Sequence, residues 1–153
     1  MKEERAEALV TGRLEQARTA LEDAAFLMEG NRSTLSIVNR SYYAMFYAAL
    51  ALLQTIGKAP SKHVGVISLF DTEFVLTGKL PRQLSKDFHK AFELRQVSDY
   101  RIEGPCTKEK AATVLAKAAG FVEAVSSYLG WPSKLDPTWG FDHYGDRDRG
   151  SSD

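Results

Sequence analysis

Apolar side chains recur every three or four residues along most of this chain, and no other feature limits its fold so strongly. At about 100° per residue, such spacing places the apolar side chains of a helix on one stripe. Alternating strand-like runs and hairpin signals such as Asn-Gly are absent from the sequence. The pattern therefore predicts an all-α fold. The helix predicted over 33–57 should lie at the centre of the core, with a stripe of Leu35, Val38, Tyr42, Met45, Phe46, Ala49, Leu53 and Ile56.

Glycine, proline and capping residues divide the chain into five predicted helices. Gly30 ends the first helix, Ser61 is predicted to cap the third, and Thr107 is predicted to cap the fifth. Short connections favour an antiparallel up-and-down bundle of four long helices and a shorter third one. We expect this bundle to form one domain over 1–130, followed by an irregular, partly disordered tail over 131–153. The predicted helices span about 3–29, 33–57, 62–77, 81–100 and 107–130.

The composition excludes several classes of protein. The 153 residues contain no run near the roughly 18 consecutive apolar residues of a membrane-spanning helix. Cys106 is the single cysteine, so it can form no internal disulfide and has no second thiol for a zinc site. No two of the three histidines have metal-ligand spacing, and phosphate-loop and dinucleotide motifs are absent. We therefore predict a cytoplasmic protein that binds neither a metal nor a cofactor and has no membrane partner.

Basic charge is concentrated in the middle of a chain whose net charge is zero. Residues 31–102 hold 10 Lys and Arg against 5 Asp and Glu, an excess of +5 that the flanking segments balance. A basic centre can face phosphates, although such an excess is also common on ordinary helical surfaces.

Two charged side chains continue the core stripe of the fourth predicted helix. With Leu84 placed at 0°, Arg95 and Asp99 lie at about 20° and 60°, close to Phe88 and Ala91. An ion pair there would lose hydration, and four-residue spacing lets the two groups bond each other. The pair is either a structural salt bridge at the end of the bundle or part of a polar site.

Further polar candidates lie on the second and third helices. Asn39, at the edge of the second stripe and flanked by Arg40 and Tyr43, is a plausible partner for the charged pair. Ring surface on which a base could stack is offered by Tyr42, Tyr43 and Tyr47, although three aromatic residues on a core helix more often serve packing. Lys62 and His63 stand at the start of the third helix, where backbone N–H groups could receive a phosphate. Simple capping by the preceding serine is the alternative.

Three sequence blocks occur together: NRSYYAMFYAA at 39–49, SKHVGVI at 61–67 and AFELRQVSDY at 91–100. They resemble an uncharacterised prokaryotic branch of the HEPN superfamily, whose blocks read roughly SRxYYAMFxAA, SKHxGVI and LRxxxDY. The resemblance spans most of residues 4–130, and three blocks in the right order make it specific. It implies an antiparallel helical bundle, usually a homodimer, often encoded beside a small nucleotidyltransferase and acting in toxin-antitoxin or defence systems.

The resemblance also implies a chemistry from which this chain departs. Catalytic members are metal-independent ribonucleases in which a histidine follows the arginine after four to six residues, as suits acid-base catalysis. Here Asp99 and Tyr100 occupy that place after Arg95, and a carboxylate paired with arginine is a weak base. The candidate catalytic residues are Arg95, Asp99 and His63. The predicted binding residues are Asn39, Arg40, Tyr43, Lys62, His63, Arg95, Asp99 and Tyr100.

Three functional hypotheses follow from these residues. In the preferred one, the protein binds a nucleotide, an RNA or a nucleotidyltransferase partner and lacks efficient catalysis. In the second, it is a metal-independent endoribonuclease toxin, with His63 supplying the imidazole from another helix. In the third, it is a structural dimerising bundle in which Arg95 and Asp99 only fix helix register.

Overall fold

Every regular element that the structure, a computed structural model, describes is a helix. The description covers residues 2–100 and 106–131, without the side chains of 97–100. Within these ranges there is no strand, which confirms the all-α prediction, and no helix is long and apolar enough to cross a bilayer. The elements are α1 (Lys2–Glu29), α2 (Thr34–Thr55), α3 (His63–Phe70) with a π-helical continuation (Asp71–Val75), α4 (Arg82–Tyr100) and α5 (Lys108–Tyr128).

Helix α2 lies at the centre and packs against each of the other four α-helices. Its pairing with α1 is the most extensive, and both helices bury alanines such as Ala20 and Ala48, whose small side chains let the backbones approach closely. Ile56 departs from the predicted stripe because α2 has ended at Thr55, and its side chain is 37% exposed. The stripe residues with almost no exposure are Val38, Tyr42, Met45, Ala49 and Leu53.

Two helices end at glycines in the left-handed region. Gly57 follows α2 with φ at 71°, and the N–H of Lys58 donates to the carbonyl oxygen of Leu53 at 2.9 Å. Gly130 follows α5 with φ at 65°, and the N–H of Trp131 donates back into the last turn. A side chain would strain either position, so these glycines fix where the chain leaves the helix. Trp131 packs against the core, whereas the predicted tail beyond it lies outside the described residues.

The start of α3 differs from the sequence prediction. Ser61 as its cap is wrong, because α3 begins at His63 and its N-cap is Lys62, which makes no side-chain capping bond. A Cβ built on Gly65 would lie 3.3 Å from the Cβ of Pro60. Where the chain enters α3, Pro60 therefore lies close to the first turn, and no serine hydroxyl caps the helix.

The third predicted helix is also not α-helical to its end. The N–H of Leu76 donates to the carbonyl oxygen of Asp71 at 2.8 Å, the five-residue spacing of a π-helix. The Asp71 carboxylate reaches α4, accepting from the Ser85 hydroxyl at 2.7 Å and lying 2.6 Å from Nε2 of His89. The wider π-helical turn thus begins at Asp71, the residue whose carboxylate contacts Ser85 and His89 of α4.

Candidate functional site

Arg95 on α4 lies against two tyrosine rings of α2. Its Cζ is 5.4 Å from the ring centroid of Tyr42 and 5.3 Å from that of Tyr43, within the range of a cation–π contact. One terminal nitrogen donates a long hydrogen bond of 3.4 Å to the Tyr43 hydroxyl. Nε of Arg95 is buried, yet it has no hydrogen-bond partner among the described residues. The guanidinium is therefore held by rings and retains a donor for which the described residues supply no acceptor.

The position of Arg95 follows from helical spacing. Phe88 and Ala91 on α4 are buried at 0% and 1% exposure, and Arg95 lies two turns after the first and one after the second. The same face of α4 therefore carries Arg95 towards α2, where its side chain is half-buried. The predicted ion pair with Asp99 involves a side chain outside the described residues and stays a prediction.

A second guanidinium lies over Tyr43. Cζ of Arg40 is 5.1 Å from the Tyr43 ring centroid, so this one ring contacts both Arg40 and Arg95. Nε and one terminal nitrogen of Arg40 donate to Oδ1 of Asn39 at 3.3 and 3.0 Å. Among the described residues, Asn39 thus bonds Arg40 and not Arg95, because its amide oxygen faces the neighbouring guanidinium on the same helix. The amide orients Arg40 on the ring.

His63, the first residue of α3, packs its imidazole against α2. Nδ1 of His63 and the Tyr42 hydroxyl oxygen share a hydrogen bond of 2.7 Å. The Phe46 ring stacks on the imidazole at 4.4 Å and 15°, and the Tyr43 ring meets it edge-on at 5.7 Å. Burial, with a further contribution from the positive charge of Arg95, lowers the pKa of His63. The imidazole is accordingly neutral at pH 7.

Tyr42 is the buried support of this arrangement. Its side chain has no exposed surface, and burial raises the pKa of its phenol well above the ordinary value, an effect that Arg95 partly opposes. The hydroxyl is therefore protonated at any physiological pH. Sequence patterns placed Tyr42 and Phe46 in the core stripe and missed their contact with His63. The only available signal was that a buried tyrosine needs a hydrogen-bond partner.

We call the surface formed by Arg40, Tyr43, His63 and Arg95 the Arg95 face. It joins residues of α2, α3 and α4, and Lys62 adds an exposed cation next to His63. No described carboxylate forms an ion pair with either arginine of this face. The face combines two guanidiniums with half-buried aromatic surface. The side chains of the remaining predicted site residues, Asp99 and Tyr100, lie outside the described residues.

Metal-binding side chains are not grouped in the part of the chain that the structure describes. Within residues 2–100 and 106–131, no three His, Cys, Asp or Glu side chains lie close enough together to hold a metal ion. What the Arg95 face can offer a ligand is two guanidiniums, one neutral imidazole and ring surface. These groups suit phosphate contact and base stacking.

Known proteins resemble this chain over most of its length. The family model for the HEPN domain matches residues 10–128. A UPF0332 protein from Thermotoga maritima is 40% identical over 114 residues, which cover 74% of this chain and 86% of that protein. A Methanocaldococcus jannaschii protein named a putative toxin is 35% identical over 116 residues, covering 76% of this chain and 85% of the relative. Another putative toxin from that organism is 38% identical over 92 residues, covering 60% and 63%.

Proposed function

We propose that this chain, which belongs to the HEPN domain family, is a toxin-type protein that binds RNA through the Arg95 face and lacks efficient catalysis. The observation that carries the proposal is the Tyr43 ring, which contacts two guanidiniums at once. Guanidiniums bind phosphate oxygens in a fixed fork geometry. Relatives named putative toxins support a toxin-type role.

A single-stranded segment fits this face better than a duplex. Tyr47 is half-buried beside Tyr43, with ring centroids 5.9 Å apart, and offers ring surface to an unpaired base. Stacking of that kind requires a base that is free of its own stack, as in loops and ends of RNA. Both guanidiniums lie within 5.3 Å of the Tyr43 centroid, so both can contact the backbone of one short strand.

Arg95→Ala should weaken the binding of a fluorescein-labelled single-stranded RNA by roughly tenfold or more, because it removes charge and ring contact together. Fluorescence anisotropy at several salt concentrations measures this, and the salt slope should fall by about one. Arg95→Lys should give an intermediate loss, since it keeps the charge but not the planar guanidinium.

Arg82→Ala is the matched control for that measurement. Arg82 is exposed at the start of the same helix, thirteen residues or about 20 Å from Arg95, and its removal changes the net charge equally. It should change affinity by less than about twofold. Equal losses in the two variants would mean that only general charge attracts RNA, and the Arg95 face would lose its role. No binding by the wild type would leave the structural dimerising bundle as the better hypothesis.

A metal-independent endoribonuclease is the second candidate, because one observation favours it. The imidazole of His63 and the guanidinium of Arg95 both contact the Tyr42 ring, at 5.6 and 5.4 Å. An imidazole from α3 thus lies near the arginine, although no histidine stands four to six residues after that arginine in the sequence. General acid-base chemistry on a ribose 2′-hydroxyl needs such a group.

The protein should be a homodimer in solution, as the family relationship implies. Light scattering should give a mass twice that of one chain at tens of micromolar. A monomeric mass at that concentration would contradict the dimer.

A nucleotide ligand and a nucleotidyltransferase partner, also implied by the relationship, stay predictions that co-purification can test.

A further inference from the structure

The hydroxyl of Tyr42 is a polar group inside an aromatic cluster. The Tyr42 side chain is wholly buried, with the Phe88 and Phe92 rings at 6.0 and 5.7 Å. Its one hydrogen bond within the described residues is the 2.7 Å contact with Nδ1 of His63. A buried hydroxyl that cannot donate its proton is strongly unfavourable. The proton of Tyr42 therefore needs Nδ1 as its acceptor.

Two arrangements of protons are compatible with a bond between a neutral phenol and a neutral imidazole. In one, Tyr42 donates to a bare Nδ1, and the imidazole carries its proton on Nε2. In the other, Nδ1 carries the proton and donates to Tyr42, whose own proton must then find another acceptor. No second hydrogen-bond acceptor for that hydroxyl occurs among the described residues. The first arrangement gives the buried Tyr42 proton an acceptor and leaves the imidazole proton on Nε2, free to be donated to a ligand.

The imidazole is also held in its plane. Phe46 stacks on it at 4.4 Å with an interplanar angle of 15°, and Tyr43 meets it at 87°. A 180° flip of the ring would put Cδ2 in the place of Nδ1 and break the bond to Tyr42. Tyr42 and Phe46 lie one turn apart on α2, so both supports come from the central helix.

We infer that Tyr42 is a positioning residue that fixes His63 as its Nε2–H tautomer, so that His63 meets RNA as a hydrogen-bond donor. The inference rests on the proposed RNA-binding function and adds the role of this one group. A donor suits a phosphate or base oxygen. A general base must instead present a bare nitrogen to the 2′-hydroxyl, and an Nε2 that carries a proton has no in-plane lone pair with which to accept another. Tyr42 thus favours binding over proton abstraction at His63.

The tautomer can be measured directly on the full-length protein. Nitrogen-15 NMR of histidine-labelled protein distinguishes Nε2–H from Nδ1–H, and a His63→Gln variant identifies the His63 signals among the three histidines. The wild type should show a predominant Nε2–H form at neutral pH. Tyr42→Phe should shift the His63 tautomer ratio, whereas Tyr43→Phe, the matched change at the next residue, should leave it unchanged. A wild-type Nδ1–H form, or a ratio unaffected in Tyr42→Phe, would overturn the inference.

RNA affinity supplies a second readout on the same variants. Tyr42→Phe should weaken binding of the labelled single-stranded RNA by about threefold to tenfold, the range of one hydrogen bond, and Tyr43→Phe by less. Binding that depends on Arg95 but not on Tyr42 would overturn the inference and leave the proposed function intact. A wild type that binds no RNA would defeat the proposed function, while the tautomer would still decide whether Tyr42 positions His63. If Tyr42→Phe does not fold, the wild-type tautomer alone decides.

Discussion

Phe88→Ala should lower the free energy of unfolding by about 3–5 kcal/mol, the range for truncating a buried aromatic residue. Phe88 on α4 has no exposed surface, and its ring centroid lies 5.6 Å from that of Phe70, 5.2 Å from Phe121 and 6.0 Å from Tyr42. These partners belong to α3, α5 and α2, so one truncation leaves a cavity where four helices meet. Urea denaturation followed by circular dichroism measures the change.

Phe26→Ala is the control that removes the same side chain from a different environment. Phe26 lies on α1 with 73% of its surface exposed, and its truncation should change the free energy of unfolding by no more than about 0.5 kcal/mol. A loss below about 1 kcal/mol in Phe88→Ala would contradict the placement of that ring in the core. A large loss in Phe26→Ala would mean that another surface, such as that of a second subunit, covers it.

Helical periodicity was sufficient to predict the elements and much of the core. The stripe of α2 is buried along most of its length because an isolated amphipathic helix has one favourable way to turn towards a core. The same rule carried Arg95 onto the inner side of α4, since it continues the positions of Phe88 and Ala91. Local rules of this kind act over a few turns of one helix. They state which face is inward and not which side chain lies opposite.

The contacts that define the candidate site depend on packing between helices. Tyr42 and His63 are 21 residues apart, and no sequence spacing links a buried phenol to the first residue of another helix. The interaction of Asp71 with His89 is similar: His89 is 54% exposed on α4, and no sequence rule links it to a carboxylate 18 residues before it. Such pairs form only after α3 and its continuation pack against α2 and α4.

Wild-type protein incubated with a structured RNA in the presence of a chelator should cut it roughly 10² to 10⁴-fold more slowly than a histidine-containing HEPN ribonuclease, the usual contribution of acid-base catalysis. The sequence after Arg95 holds Asp99 and Tyr100 where those enzymes carry histidine. The available imidazole, His63, is bonded through Nδ1 to Tyr42 and is inferred to carry its proton on Nε2. A group in that state can hold an RNA oxygen but is a poor acceptor for a ribose proton.

Gel analysis of cleavage by the wild type, Arg95→Ala and His63→Ala separates the outcomes. Efficient cleavage by the wild type that both substitutions abolish would replace the binding function with catalysis and would make His63 the missing imidazole. Cleavage that persists in both variants would indicate a contaminating nuclease. If none of the proteins cuts while the wild type binds RNA and Arg95→Ala does not, the Arg95 face is a recognition site. The His63 imidazole then serves as a hydrogen-bond donor, because Tyr42 of α2 already bonds Nδ1, the nitrogen that a general base would need to be free.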